Sequence, residues 1–192
     1  MAYLSQDEIH DLGFGKVGCN VLISNKASFY NCGKIEIGDN VRIDDFCVIS
    51  AGEGGVYIGS YIHIAVFCSI IGAGKVSISN YANLSSRVSI YSSNDDYSGH
   101  YMTNPLVPIE FINVSSGSVF IGKHVIIGSG SVVLPNVVIN EGAVVGALTL
   151  IKDTCKEFTV YTGVPAKAKK ERSRDLLKVE EQFIQKYLRG DS

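Results

Sequence analysis

Nowhere in this chain do the roughly 18 consecutive apolar residues of a membrane-spanning helix occur, and Met1 to His10 carry no basic leader running into an apolar stretch. The sequence therefore predicts neither a membrane span nor secretion, and the expected location is the cytoplasm. A basic excess is missing as well. With 17 Lys and Arg against 19 Asp and Glu and no polybasic tract, the phosphate neutralisation on which nucleic-acid affinity rests has no source. The five cysteines (Cys19, Cys32, Cys47, Cys68 and Cys155) are odd in number, widely spaced and free of any CxxC pair. That excludes a disulfide framework and a structural zinc site, and the cysteines read as small buried apolar residues.

Helical periodicity is also missing between residues 37 and 151, where another period takes its place. Aliphatic residues recur every six positions at Ile121, Ile127, Val133, Ile139, Val145 and Ile151. Three upstream triplets keep the same phase: Ile37, Ile43, Ile49; Ile58, Ile64, Ile70; and Ile78, Leu84, Ile90. Their first members are 21 and 20 residues apart (58 − 37 and 78 − 58). Three hexads would give 18, so two or three extra residues fall at one corner of each coil, in the glycine-rich runs 51–55 and 72–74. A six-residue side is a short strand plus a tight corner, with the aliphatic pointing inward and stacking on its counterpart one coil away. A small residue four positions later (Val41, Val125, Ser131, Ala143, Thr149) is expected to turn inward too. The pattern predicts one domain, a parallel β-helix with an all-β core, in keeping with 20 Gly, 21 Ile and 21 Val among 192 residues.

Both ends depart from this rhythm. Ser5 followed by Asp7 and Glu8 predicts a short N-terminal helix with an apolar face of Leu4, Ile9 and Leu12, stopped by Gly13. Residues 173–188 place Leu176, Leu177, Phe183, Ile184, Tyr187 and Leu188 at helical spacing, with Gly190 beyond. This amphipathic helix is expected to cap the open coil or pack on a neighbour. Between Ile90 and Ile121 the hexads stop, leaving a loop too long for a casual connection. It carries Asp95, Asp96, His100 and several aromatics. The division reads as 1–19, N-terminal helix and lead-in; 20–160, β-helix with an excursion loop at 92–118; and 161–192, basic segment and C-terminal helix.

The hexads, with VVGALTLIKD at 144–153 and YTGVPAKAKKER at 161–172, resemble the hexapeptide-repeat acyltransferases over about residues 20–172. The resemblance implies a left-handed parallel β-helix, a homotrimer with sites between subunits, and acetyl-CoA as acyl donor. Set beside the galactoside- and maltose-type enzymes, the family's catalytic His falls at Asp95. A carboxylate is a weak base unless burial or its neighbour Asp96 raises its pKa. SSNDDYSG at 92–99 also resembles a stretch of some surface-polysaccharide O-acetyltransferases. The catalytic candidates are thus Asp95, His63, read as a corner residue, and His100, with Asp96 and Tyr97 toward the acceptor. His124 reads as structural and His10 as without a role.

For the cofactor, the resemblance assigns Ala147 to the pantetheine arm, Lys152 to the nucleotide, and Lys167 and Lys170 to the phosphates. The amide of Gly128 or Ser129 is the candidate oxyanion donor. The expected activity is acetyl-CoA-dependent O-acetylation of a sugar hydroxyl in surface-polysaccharide synthesis. N-acetylation of a nucleotide-linked amino sugar is the alternative, since an amine needs a weaker base. A non-catalytic trimeric solenoid is a further reading. A metal-dependent hydratase of this fold is excluded, because no HxxxxH pair occurs.

Overall fold

A computed structural model describes residues 2–188; Gly190, expected beyond the C-terminal helix, lies outside them. The chain winds into the parallel β-helix that the hexads predict, with the left hand that the family resemblance implies. Its three sides are two six-stranded sheets and one of eight strands. The triplets stack without slippage. Ile37 pairs with Ile58, Ile58 with Ile78, Ile78 with Ile121 and Ile121 with Ile139 along the first sheet. Ile43, Ile64, Leu84, Ile127 and Val145 follow one another in the second. The third carries Ile49, Ile70, Ile90, Val133 and Ile151. All of these aliphatics are at most 4% exposed, and each contributes about 1.5–3 kcal/mol by its burial. The small residues four positions later are buried as well, Val41, Val125, Ser131, Ala143 and Thr149 alike.

The corners take left-handed backbone on residues other than glycine. Asn20, Asn40, Tyr61, Tyr81 and His124 lie between the first and second sheets, at φ of 53° to 62°. Phe46, Phe67 and Arg87 hold φ of 61° to 63° between the second and third. Such backbone is unfavourable for a residue with a Cβ, and contacts from coil to coil offset it. Asn20 donates to the Asn40 side chain at 2.7 Å. Tyr61 stacks on Tyr81 and Tyr81 on His124, at 5.3 and 5.0 Å between centroids, and Phe46 stacks on Phe67 at 5.0 Å.

The N-terminal helix α1 spans Gln6–Asp11 with a full capping box between Ser5 and Glu8, and its Ile9 closes the first coil. Helix α2, Asp175–Phe183, continues into one π-helical stretch, Ile184–Leu188. It lies along the first corner, Phe183 edge-on to Tyr61 and Tyr81, rather than across an open end. The basic segment folds back along the edge of the solenoid. Lys167–Glu171 is a strand antiparallel to Thr159–Thr162 on the edge of the second sheet. The excursion loop leaves the third sheet after Ser89–Tyr91 and is pinched at its base by an antiparallel pair, Ser93–Asn94 with Ser115–Ser116.

Cys47, Cys68 and Cys155 are buried as expected, and burial pushes the Cys155 thiol up to about 11, which makes it unreactive. Cys19, in a bend, is exposed, and Cys32, which opens the 3-10 helix Cys32–Lys34, is half-exposed. No helix among the described residues is long and apolar enough to cross a membrane.

Candidate active site

Alternation along a strand turns one residue of each second-sheet strand outward. Register places these outward residues in one column: Arg42, His63, Asn83, Ile126, Val144, Val160 and Lys170. His63 thus stands in the middle of Ile62–Ile64 and not at a corner. The corner is the preceding left-handed Tyr61, so the new side has already begun at His63.

A parallel column follows the inward aliphatics: Asp44, Ala65, Ser85, Gly128 and Gly146. Each donates its amide to the carbonyl of an inward residue one coil on, Ile64, Leu84, Ile127, Val145 and Tyr161 in turn. At about 4.8 Å per coil, the strip from Asp44 to Gly146 runs about 19 Å, comparable with an extended pantetheine arm.

Asp44 makes the strip asymmetric. It is 4% exposed and accepts hydrogen bonds from Arg42 Nε at 2.7 Å and from His63 Nε2 at 2.8 Å. The imidazole and guanidinium themselves stay 40% and 47% exposed. Sequence reasoning missed Asp44. The available signal was its place one residue past the hexad Ile43, on the same side of the strand end as Arg42.

The Gly128 amide is bound to the Val145 carbonyl at 2.8 Å, so it cannot serve as an oxyanion donor. The glycine answers to coil packing: a Cβ there would lie 2.5 Å from the Ala147 amide nitrogen. Ser129 and Ala147 are exposed, and their amides make no hydrogen bond among the described residues. Beyond them, Leu150 donates to the Gly163 carbonyl and accepts from the Ala166 amide, which ties the segment just before Lys167 to the strand that precedes Lys152. Lys152, Lys167 and Lys170 are exposed and form no ion pair among the described residues, which leaves three cations for an anionic ligand.

The loop candidates form a second group. Asp96 makes no hydrogen bond to Asp95 among the described residues. It accepts from the Ser98 hydroxyl at 2.7 Å and from the Ser98 and Gly99 amides, capping a turn. The Ser98 bond holds its carboxyl below the usual range. Asp95 is exposed with no hydrogen-bond partner among the described residues. His100 Nδ1 lies 2.8 Å from Ser98 Oγ, and Tyr97 is 90% exposed. No hydrogen bond or ion pair joins this group to His63 among the described residues. His124 is structural, stacked on Tyr81 and bonded to Glu180 at 2.8 Å, and His10 sits exposed on α1.

Comparison with known proteins gives this geometry a context. The family model for the bacterial transferase hexapeptide (six repeats) matches residues 118–153. The chain is 63% identical over 183 residues, 95% of each protein, to an Escherichia coli dTDP-4-amino-4,6-dideoxy-D-glucose acyltransferase. It superposes with a TM-score of 0.90 on AntD, an N-acyltransferase from Bacillus cereus solved with dTDP and 3-hydroxybutyryl-CoA. The two are 45% identical, over 95% of this chain and 96% of that one. A maltose O-acetyltransferase from Clostridium difficile 630 superposes at a TM-score of 0.52 over 88% of this chain and 75% of that one. At 19% identity it supports the fold alone.

Proposed function

Because the chain belongs to the hexapeptide-repeat bacterial transferases, we propose that it moves an acyl group from acyl-CoA to the amine of a nucleotide-linked 4-amino-4,6-dideoxy sugar. The observation that carries this reading is the 63% identity, over 95% of the chain, to an enzyme named for that acceptor. It favours the amine over the sugar hydroxyl of the first sequence reading. The site chemistry supports the same choice. A hydroxyl needs a base matched to neutral pH, whereas an ammonium needs an anion beside it, and the loop offers the carboxylate of Asp95 where O-acetyltransferases carry a His.

In this account Asp95 holds the acceptor nitrogen, and Tyr97 and His100 border the sugar. AntD has been crystallised with an aspartate and with a serine ten positions before it replaced, and Ser85 and Asp95 keep that separation here. Ser85 lies on the strip, half-buried. Acyl-CoA lies beyond it, its pantetheine along Gly128 and Gly146 toward the open Ala147 amide, its phosphates met by Lys152, Lys167 and Lys170. The Ser129 amide takes over the oxyanion role withdrawn from Gly128.

The loop and strip belong to one site through assembly. Tyr97, Leu106 and Ile109 are 82–90% exposed, more apolar surface than a lone chain keeps without use, and a homotrimer brings the loop of one subunit to the strip of the next.

Steady-state thiol release tests the assignment. Asp95→Asn is expected to lower kcat/KM for the amino sugar at least tenfold while leaving KM for acyl-CoA within twofold. Unchanged kcat/KM would remove Asp95 from the site.

A further inference from the structure

We infer that Asp44 is a positioning residue that holds His63 with its proton on Nε2, so that the Nδ1 lone pair faces out of the second sheet and takes the amine proton during transfer. The inference rests on the acyltransferase reading above, and concerns residues which that reading leaves without a role.

A carboxylate can only accept. With Asp44 buried and 2.8 Å from Nε2, the neutral imidazole must carry its hydrogen there, leaving Nδ1 as acceptor. Arg42 fixes the carboxylate from its other oxygen at 2.7 Å, so the imidazole is oriented through a fully engaged anion. The remaining groups facing His63 do not compete: Asn83, one coil on, is uncharged, and Asp45 beyond Asp44 is paired with Lys26 and Ser24.

Three His–carboxylate pairs occur among the described residues, and the other two differ. His10 meets Asp11 loosely, at 3.7 Å with both side chains more than 80% exposed. His124 is 14% exposed beneath α2. His63 alone combines an open ring on the outward face of the second sheet with a buried partner, Asp44, that stands on the strip leading through Ser85 to the acyl-CoA end.

The proton count closes. The acceptor ammonium gives one proton to His63 Nδ1. The freed amine forms a C–N bond to the thioester carbonyl, the C–S bond breaks and coenzyme A leaves as thiolate. The imidazolium returns its proton to that sulfur, and the second amine proton passes to water.

The test uses the full chain. In wild type, 15N NMR of the His63 ring is expected to show a pyrrole-type Nε2 and a pyridine-type Nδ1. Asp44→Asn, whose amide can donate to the ring, is expected to shift the proton to Nδ1. It should also lower kcat about 10–100-fold and alter the acidic limb of the kcat/KM profile, with KM for acyl-CoA and the thermal midpoint held. Asp44→Asn added to His63→Gln should cost nothing further, because Asp44 acts through the ring. A wild-type ring protonated at Nδ1, or Asp44→Asn with wild-type kcat and pH profile, overturns the inference. Absence of transfer in wild type would instead defeat the acceptor assignment, while the NMR readout still decides the tautomer.

Discussion

At the scale of residues, the hexad code separates positions that build the coil from positions that face a ligand. Ile127 is fully buried between Leu84 and Val145, so Ile127→Ala removes packing the rigid coil cannot refill. A loss of about 2–5 kcal/mol is expected, read by urea denaturation. Gly128→Ala fails differently, by driving a Cβ into the Ala147 backbone at 2.5 Å. It should cost about 1–3 kcal/mol and raise KM for acyl-CoA, since the displaced amide is the one left for the pantetheine arm. Unchanged KM with reduced stability would confine Gly128 to packing. The inward residues were legible because period six leaves them no alternative. Asp44 was not, nor was its pairing with His63, because that contact joins residues 19 apart in sequence and appears only once the coil register is known.

At the scale of elements, α2 shows what amphipathic spacing can and cannot say. The pattern gave the helix and its apolar side, but its seat against Tyr61, Tyr81 and His124 depends on a corner column that no local pattern displays. The basic run at 167–172 was equally opaque. The resemblance gave Lys167 and Lys170 a cofactor role, but nothing local shows that Lys167–Glu171 pairs with Thr159–Thr162 as a strand.

The dock also carries a pH dependence. Burial raises the Glu180 carboxyl, but bonds to Lys123 and His124 outweigh it and hold the group below its ordinary 4.5. A carboxyl with a depressed folded pKa contributes stability above its unfolded value and loses it as pH falls through the folded one. Hydrogen exchange in α2 is therefore expected to speed up below about pH 4.5 while the coils stay protected. Glu180→Gln should abolish that acid step, and identical profiles for variant and wild type would remove Glu180 from the dock.

At the scale of the whole molecule, the solenoid supplies a rigid rail and the excursion loop supplies what the rail lacks. The loop's length and interrupted rhythm marked it as functional from sequence. Its closure at Ser93–Asn94 and Ser115–Ser116 could not be foreseen, since the paired residues lie 21 and 23 apart (115 − 94 and 116 − 93) across an aperiodic stretch. Replacing Leu106 and Ile109 by Asp should leave the coil folded, the pair being 90% and 82% exposed. It should also lower the mass of the assembly in sedimentation and remove transfer activity with it. Full activity in a monomeric variant would place the complete site in a single chain.

The most direct test of the central claim is the chemistry of the product. Acyl-CoA is supplied with dTDP-4-amino-4,6-dideoxyglucose or with sugars bearing only hydroxyls, and the acylated product is treated with hydroxylamine, which cleaves esters and spares amides. An acyl group transferred to the amino sugar and retained after treatment is the predicted result. Transfer to a hydroxyl sugar at a comparable rate, released by hydroxylamine, would contradict it.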